Sequence, residues 1–405
     1  MTGQNRERTT APSALLRARN AAASAFALNG LVLGSLVSRI PAIRDELGLT
    51  TSELGFLLLA TSAGSVLALP TAGAVVARLG PSQTVRAGAV IACVGIAIAG
   101  VGGGIAASIP LVAAGLFALG AGSGVWDVAM NVEGADVERQ LGWTIMPRFH
   151  AAWSLGSVAG AGAGALAARL EVPLEMQLLA TAVVVLAGVL IAVSFFTPVA
   201  PAAERRDPAN RRRALAAWTE PRTLLIGVMV LSAALVEGAA NDWLALAFVD
   251  GYGTSHAVAA VGFGVFVTAM TIGRVTGTWL LDRYGRVVVL RTCIAAAIAG
   301  VAVFIVAVST PLAFVGAVLW GLGASLGFPV GMSAAADDER FAAQRVSVVA
   351  SIGYLAFLAG PPLIGVLADS IGILPALSVL IATLVLSLAV TGAARPLQPA
   401  ATLAD

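Results

Sequence analysis

Charged side chains are missing from long stretches of this chain, and the stretches recur from one end to the other. A helix crossing a bilayer needs roughly 20 apolar residues. The charge-free runs predict twelve such helices, at about 20–40, 53–77, 84–105, 109–133, 149–169, 175–197, 223–249, 257–281, 287–309, 311–336, 344–368 and 371–394. Two runs, Ala87–Trp126 and Thr292–Ala336, are each long enough for two spans. They divide at "SIPL" and "STPL", where proline after a small polar residue marks a turn. The first run, Asn20 to Ser38, follows Arg17 and Arg19 as a signal peptide would. It is too long for an h-region and no small-residue cleavage site follows, so it reads as a retained first span.

One polar insert of any length breaks the series: "PVAPAAERRDPANRRRALAAWTEPR", Pro198 to Arg222. It divides the chain into a tail (1–19), six spans (20–197), a linker (198–222), six spans (223–394) and a second tail (395–405). The expected fold is all-α, with 12 transmembrane helices in two six-helix bundles.

Composition supports the same reading. Of 405 residues 58% are hydrophobic and 11% charged, with a mean hydropathy of +0.91. A soluble globular chain carries about 25% charged residues, so this one could not cover a water-facing surface and needs a lipid bilayer around it. The 45 glycines suit membrane helices, where small residues let backbones approach. Cys93 and Cys293 lie in apolar runs and read as packing residues, not a disulfide.

All 24 basic residues are arginine. With the N-terminus in the cytoplasm, every arginine but Arg39, Arg44, Arg169 and Arg274 falls on the inner side. Positive charge accumulates inside, which predicts both termini in the cytoplasm. The net charge of +2 gives no sign of nucleic acid as a partner.

The halves resemble each other. "ARLGPSQTV" at Ala77–Val85 matches "DRYGRVVVL" at Asp282–Leu290, "LGAGSG" at Leu119–Gly124 echoes "LGASLG" at Leu322–Gly327, and "SLG" at Ser154 is answered by "SIG" at Ser351. Parallel six-helix repeats are one of the internal symmetries of secondary transporters, whose substrate site lies between the halves near the midplane.

"TWLLDRYGRVVVLR" resembles the loop signature of the major facilitator superfamily, with Asp282, Arg283, Gly285 and Arg286 in place and Thr278 where a glycine is usual. The first copy, "GAVVARLGPSQ", keeps Gly73, Arg78 and Gly80 but has Ala77 for the acid. The resemblance implies that a contact locking the cytoplasmic side is lost there. "WDVAMNVEGADVER", "MPRFHAAWSLGSVAG" and "GLGASLGFPVGMSAAADD" are similar to a bacterial inner-membrane subgroup that includes a rhizopine-cluster membrane protein. More distantly, the chain resembles the fucose and glucose/mannose proton symporters. Drug antiporters of the family carry an arginine where this chain has Leu116, and a proline that "GSVAGAGAG" lacks. Monomers are usual for the family.

The remaining signal is charge inside the spans. An ionised carboxylate in a bilayer is costly unless it faces a cavity or a partner. A carboxyl that is neutral when dry and charged when wet can couple proton movement to transport, which is the functional reading of Asp127. Asp127 and Asn131 share a helix face, with Glu133 turned away from them. The structural alternative is an ion pair of Glu133 with Arg148 and a hydrogen bond of Asp127 with His150. Glu237 and Asn241 share a face in the seventh span, near Asp242 and Trp243. A cavity edged by Asn29, Asp127, Glu237 and Asn241, with Trp126 and Trp243 nearby, would hydrogen-bond a polyhydroxylated ligand and stack on its apolar face. An amine would also suit it. Alternatively Glu237 pairs with Arg39 or Arg274 to close a gate. Arg274, inside the eighth span, needs an acidic partner.

"GLGASLG" resembles a dinucleotide fingerprint, but no strand precedes it. Two histidines, His150 and His256, build no metal cluster, no nucleophile–base pairing is visible, and no cofactor is indicated, so an enzyme is not expected. The expected function is a secondary carrier working by alternating access, coupled to protons and moving a small polar solute such as a sugar, polyol or amino-sugar. An exporter of amphipathic compounds is the alternative, and a non-transporting membrane sensor a more remote one.

Overall fold

The computed structural model of the chain describes residues 12–49, 51–197, 215–254 and 256–397. Among the described residues twelve helices are long and apolar enough to cross a membrane: α1 (Ser13–Val37), α2 (Glu53–Leu79), α3 (Pro81–Gly104), α4 (Ile109–Leu141), α5 (Met146–Arg169), α6 (Leu174–Phe195), α7 (Pro221–Gly251), α8 (Val261–Tyr284), α9 (Arg286–Val306), α10 (Thr310–Ala335), α11 (Ala342–Ile371) and α12 (Ile373–Ala394). Each expected span has its helix. The largest difference is α4, which continues two turns beyond residue 133 and ends at Gly142 in the left-handed conformation (φ 73°). Glu133 therefore lies well inside a helix and not at the end of one. Most of the expected linker, 198–214, lies outside the described residues, as do 1–11 and 398–405 of the expected tails.

Helices α1–α6 form one bundle and α7–α12 a second with the same packing order. In the first, α3 packs on α4, α1 on α5 and α2 on α4; in the second, α9 packs on α10, α7 on α11 and α8 on α10. Glycine makes the tightest of these approaches possible. A Cβ at Gly95 or Gly122 would sit 2.4 Å from a backbone nitrogen of the facing helix, so α3 and α4 touch through their main chains. The α2–α3 and α8–α9 turns repeat each other closely. Gly80 has φ 80° and ψ 164°, and Gly285 has φ 78° and ψ 160°, a conformation that only glycine adopts cheaply.

The bundles meet near the end of the molecule that carries these two turns, here called the motif end. There α2 packs against α11 and α8 against α5. Ser347 Oγ donates to the Leu69 carbonyl at 2.5 Å, and Arg139 Nη1 donates to the Ala336 carbonyl at 3.0 Å, both across the interface.

Candidate functional site

Above these contacts a cavity of about 240 Å³ lies between the bundles. Polar residues reach it because each stands alone in an apolar helix and turns away from lipid. Asn29 comes from α1, Thr61 and Ser65 from α2, Ser123 and Asp127 from α4, and His150 and Trp153 from α5. The second bundle adds Glu237 from α7, Arg274 from α8, Phe328 from α10, and Tyr354 and Phe357 from α11.

Asp127 is buried, and among the described residues it has no ion pair. Its Oδ1 accepts from Asn131 Nδ2 at 3.2 Å, while Oδ2 has no hydrogen-bond partner in the protein. The Tyr354 hydroxyl of the other bundle is close enough to interact with the carboxylate. Asn131 Nδ2 also bonds the Asp127 carbonyl at 2.9 Å, and its Oδ1 meets His150 Nε2 at 3.2 Å. An amide oxygen only accepts, so this contact requires the His150 proton on Nε2. The expected direct bond between Asp127 and His150 is thus relayed through Asn131, which sits behind the cavity wall. His150 is wedged edge-on between Phe26 (5.1 Å) and Phe328 (5.4 Å), which fixes its ring.

Glu237 takes Arg274, not Arg39, as its counterion. Arg274 Nη2 reaches Glu237 Oε2 at 2.7 Å, Nη1 reaches Ser154 Oγ in the first bundle at 2.6 Å, and Nε reaches the Ser325 carbonyl at 3.3 Å. Removing one member of such a buried pair is costly because the other charge is left alone. Arg39 instead donates to the Val172 carbonyl at 2.9 Å, within its own bundle. Trp153 Nε1 donates to Asn29 Oδ1 at 3.0 Å and orients that amide toward the cavity.

Four expected site residues do not line the cavity, Asn131 among them. Trp126 is fully buried and packs against the Gly88 backbone between α4 and α3. Trp243 lies against Gly365 of α11. Asn241 is exposed one turn beyond Glu237. The helix depth of these residues was legible, but the face was not: consecutive residues point about 100° apart, so Trp126 cannot share a wall with Asp127. The aromatic lining comes from Trp153, Phe328, Tyr354 and Phe357, which sequence reading missed. Thr61 and Ser123 were missed too, because isolated hydroxyls are common in membrane helices and carry no signal.

The gating expectations divide. Glu133 does not pair with Arg148. Its Oε1 accepts from Thr197 N (2.7 Å) and Oγ1 (3.0 Å), because its position inside α4 turns it toward the segment just past the end of α6. Arg148 is exposed and stacks over Trp143 at 5.3 Å. Asp242 is exposed and makes no ion pair among the described residues. The charges that join the bundles are others. Glu138 Oε2 accepts the Ile145 and Met146 N–H groups at 2.8 and 2.7 Å, capping α5, while Oε1 accepts the Ser333 hydroxyl of α10. Arg286 pairs with Asp337 at 2.6 Å and lies 3.9 Å from Glu138. Asp282 Oδ1 accepts the Thr144 N–H at 2.9 Å. Arg78 is exposed, and Arg283 stacks over Trp279 and Tyr284.

Comparison with known proteins places this architecture. An uncharacterized transporter of Sinorhizobium fredii, y4wD, is 32% identical over 86% of this chain and 90% of its own length. Membrane protein MosC of Rhizobium meliloti is 26% identical over 89% of this chain and 86% of its own. Among solved structures, FucP in the outward conformation superposes with a TM-score of 0.78 at 16% identity, covering 94% of this chain and 99% of that one. The family profile described as Major Facilitator Superfamily matches residues 22–340 and again 226–403. With two bundles of repeated packing, a cavity between them, and matches spanning both halves, the chain belongs to the Major Facilitator Superfamily and is a membrane transporter, not an enzyme.

Proposed function

We propose that the chain is a proton-coupled secondary carrier, working by alternating access, for a small polar solute such as a sugar, polyol or amino-sugar. The observation that carries this reading is Asp127: a buried carboxylate on the wall of the inter-bundle cavity, with one oxygen unpartnered and no counterion. Such a group can hold a proton in one state and release it in another. The Tyr354 hydroxyl, across the bundle interface, gives its charge state a route to the packing of the two halves. FucP, of similar fold, is a fucose:proton symporter of E. coli, and a sugar-sized polar cavity agrees with that chemistry. The distribution of arginine supports an orientation in a bacterial inner membrane with the motif end and both termini facing the cytoplasm. The carrier works as a monomer, each chain holding both bundles and the cavity.

The test is reconstitution into liposomes with a pH-sensitive dye inside. Asp127→Asn should abolish solute-driven proton movement while leaving solute exchange between the two sides. Proton movement unaltered in Asp127→Asn would overturn the assignment.

A further inference from the structure

Four cavity-lining polar atoms are buried without a partner in the protein: Asn29 Nδ2, Thr61 Oγ1, Ser123 Oγ and Asp127 Oδ2. All four belong to the first bundle, on α1, α2 and α4. The second bundle's contribution is different in kind. Glu237 Oε2 and Arg274 pair with each other, the Tyr354 hydroxyl is directed to Asp127, and Phe328 and Phe357 present apolar surface. We infer that the solute is a neutral polyhydroxylated molecule of monosaccharide size, whose hydroxyl edge is read by the first bundle and whose apolar face rests on the second.

Hydrogen-bonding capacity carries the argument. Asn29 Nδ2 only donates, an ionised carboxylate oxygen only accepts, and the two hydroxyls do either. A buried polar atom left unpaired costs stability, so the ligand that binds well must offer acceptors and donors side by side. A carboxylate or phosphate solute only accepts and would face Asp127 with like charge. A simple ammonium only donates and leaves Asn29 unanswered. A quaternary ammonium or phosphonium cation offers neither. Vicinal hydroxyls each donate and accept, and satisfy all four atoms at once.

Charge and size agree. The Glu237–Arg274 pair cancels internally, which leaves Asp127 as the single unbalanced group. When Asp127 carries the proton of the proposed cycle, the cavity has no net charge and favours a neutral guest. The volume of about 240 Å³ lies below the roughly 300–1,000 Å³ of pockets for drug-sized ligands, so one ring fits and a large amphiphile does not.

This inference rests on the cavity being the transport site, and its test separates the two. Purified full-length protein in detergent is titrated with D-glucose, L-fucose, myo-inositol, D-glucosamine, D-glucuronate and tetraphenylphosphonium, with binding read by thermal shift and calorimetry. At least one neutral member should stabilise the protein, its ammonium counterpart should bind no better, and glucuronate and tetraphenylphosphonium should not bind. Ser123→Ala and Thr61→Val should each weaken the neutral ligand about tenfold, the usual worth of one hydrogen bond, with the unliganded melting temperature unchanged. Each variant should also be indifferent to loss of one particular hydroxyl in a series of monodeoxy analogues, which a merely structural role would not produce. Stabilisation by the acid or the cations alone, by none of the neutral members, or a wild-type affinity in both variants would overturn the inference. Binding as expected without flux in liposomes would instead sink the carrier reading and leave this one standing. Flux of a solute without hydroxyls would do the reverse.

Discussion

The turn between α2 and α3 and the turn between α8 and α9 have the same backbone and hold the bundles together by different means. At the second, Asp282 accepts the Thr144 N–H just before α5, and Arg286, held by Asp337 of its own bundle, faces Glu138 of the first at 3.9 Å. At the first, Ala77 and Pro81 occupy the matching positions and bring no charge. What takes their place is proximity. A Cβ on Gly73 would lie 2.5 Å from the Ala343 carbonyl oxygen of α11, and Ser347 of the same helix bonds the Leu69 carbonyl. The motif end is therefore closed by electrostatics on its α5–α8 side and by close packing on its α2–α11 side. An inherited repeat fixes the backbone, and the side chains then divide the work.

Substitution on the packed side should have the larger effect. Gly73→Val drives a branched side chain into backbone that no rotamer change can clear, so about 3 kcal/mol should be set against the closed motif end, more than a hundredfold in population. Reactivity of a cysteine introduced at the interface, near Leu69, should rise accordingly. Reactivity equal to the parent would show that α2 and α11 are not held by this approach. On the charged side, Arg286→Ala removes the guanidinium that lies 3.9 Å from Glu138 across the interface, while its bonds to Asp337 and Ser333 lie within the second bundle. The loss of closure should be about 1 kcal/mol, the upper end for a partly exposed ion pair. The same cysteine assay, run in low and high salt, should show this effect shrinking with salt and the Gly73→Val effect unmoved.

Restoring the missing acid tests the comparison in the other direction. Ala77→Asp should face the start of α11 as Asp282 faces the start of α5. A carboxylate at a helix N-terminus contributes about 0.5 kcal/mol at an exposed site. The closed motif end should become modestly more populated, as read by lower reactivity of the same interface cysteine. A fall in the closed population on Ala77→Asp would mean that the first copy's turn does not present residue 77 to α11.

The sequence made the spans and the repeat legible because both rest on one-dimensional signals: charge-free length, and glycine with arginine at fixed offsets. It also disclosed Asn29, Asp127, His150, Glu237 and Arg274, since a lone polar residue in a membrane helix must face the interior. What it hid was azimuth and partnership. Trp126 and Trp243 have the right depth and the wrong face, and Glu138 looks like any surface acid until α4 is seen to run on to Leu141. The Asp127–Asn131–His150 relay needed the register between α4 and α5, which no span boundary supplies.

A second pair of matched residues sharpens the contrast between the halves. By the alignment of Ser154 with Ser351, Arg148 on α5 corresponds to Arg345 on α11. Both lie over an aromatic ring, Trp143 at 5.3 Å and Phe341 at 5.0 Å. Among the described residues only Arg345 of the two pairs with acids, gripping Glu220 at the start of α7 through two bonds of 2.7 Å and lying 3.9 Å from Asp338. Partial burial works to raise the Glu220 carboxyl, but the Arg345 and Thr223 hydrogen bonds and the Arg345 and Arg222 charges outweigh it and hold it below the ordinary value. A depressed carboxyl contributes stability that is present above the unfolded value, about 4.3, and is lost as pH falls through the folded one. The difference in melting temperature between the parent and Glu220→Gln should therefore be small but positive at about pH 7 and should close on acidification below about pH 4. Arg148→Ala should show no such closing, because no carboxylate of its own stands behind it among the described residues. A gap for Glu220→Gln that stays constant on acidification would mean that the α7–α11 contact is held by packing over Phe341 and not by the ion pair.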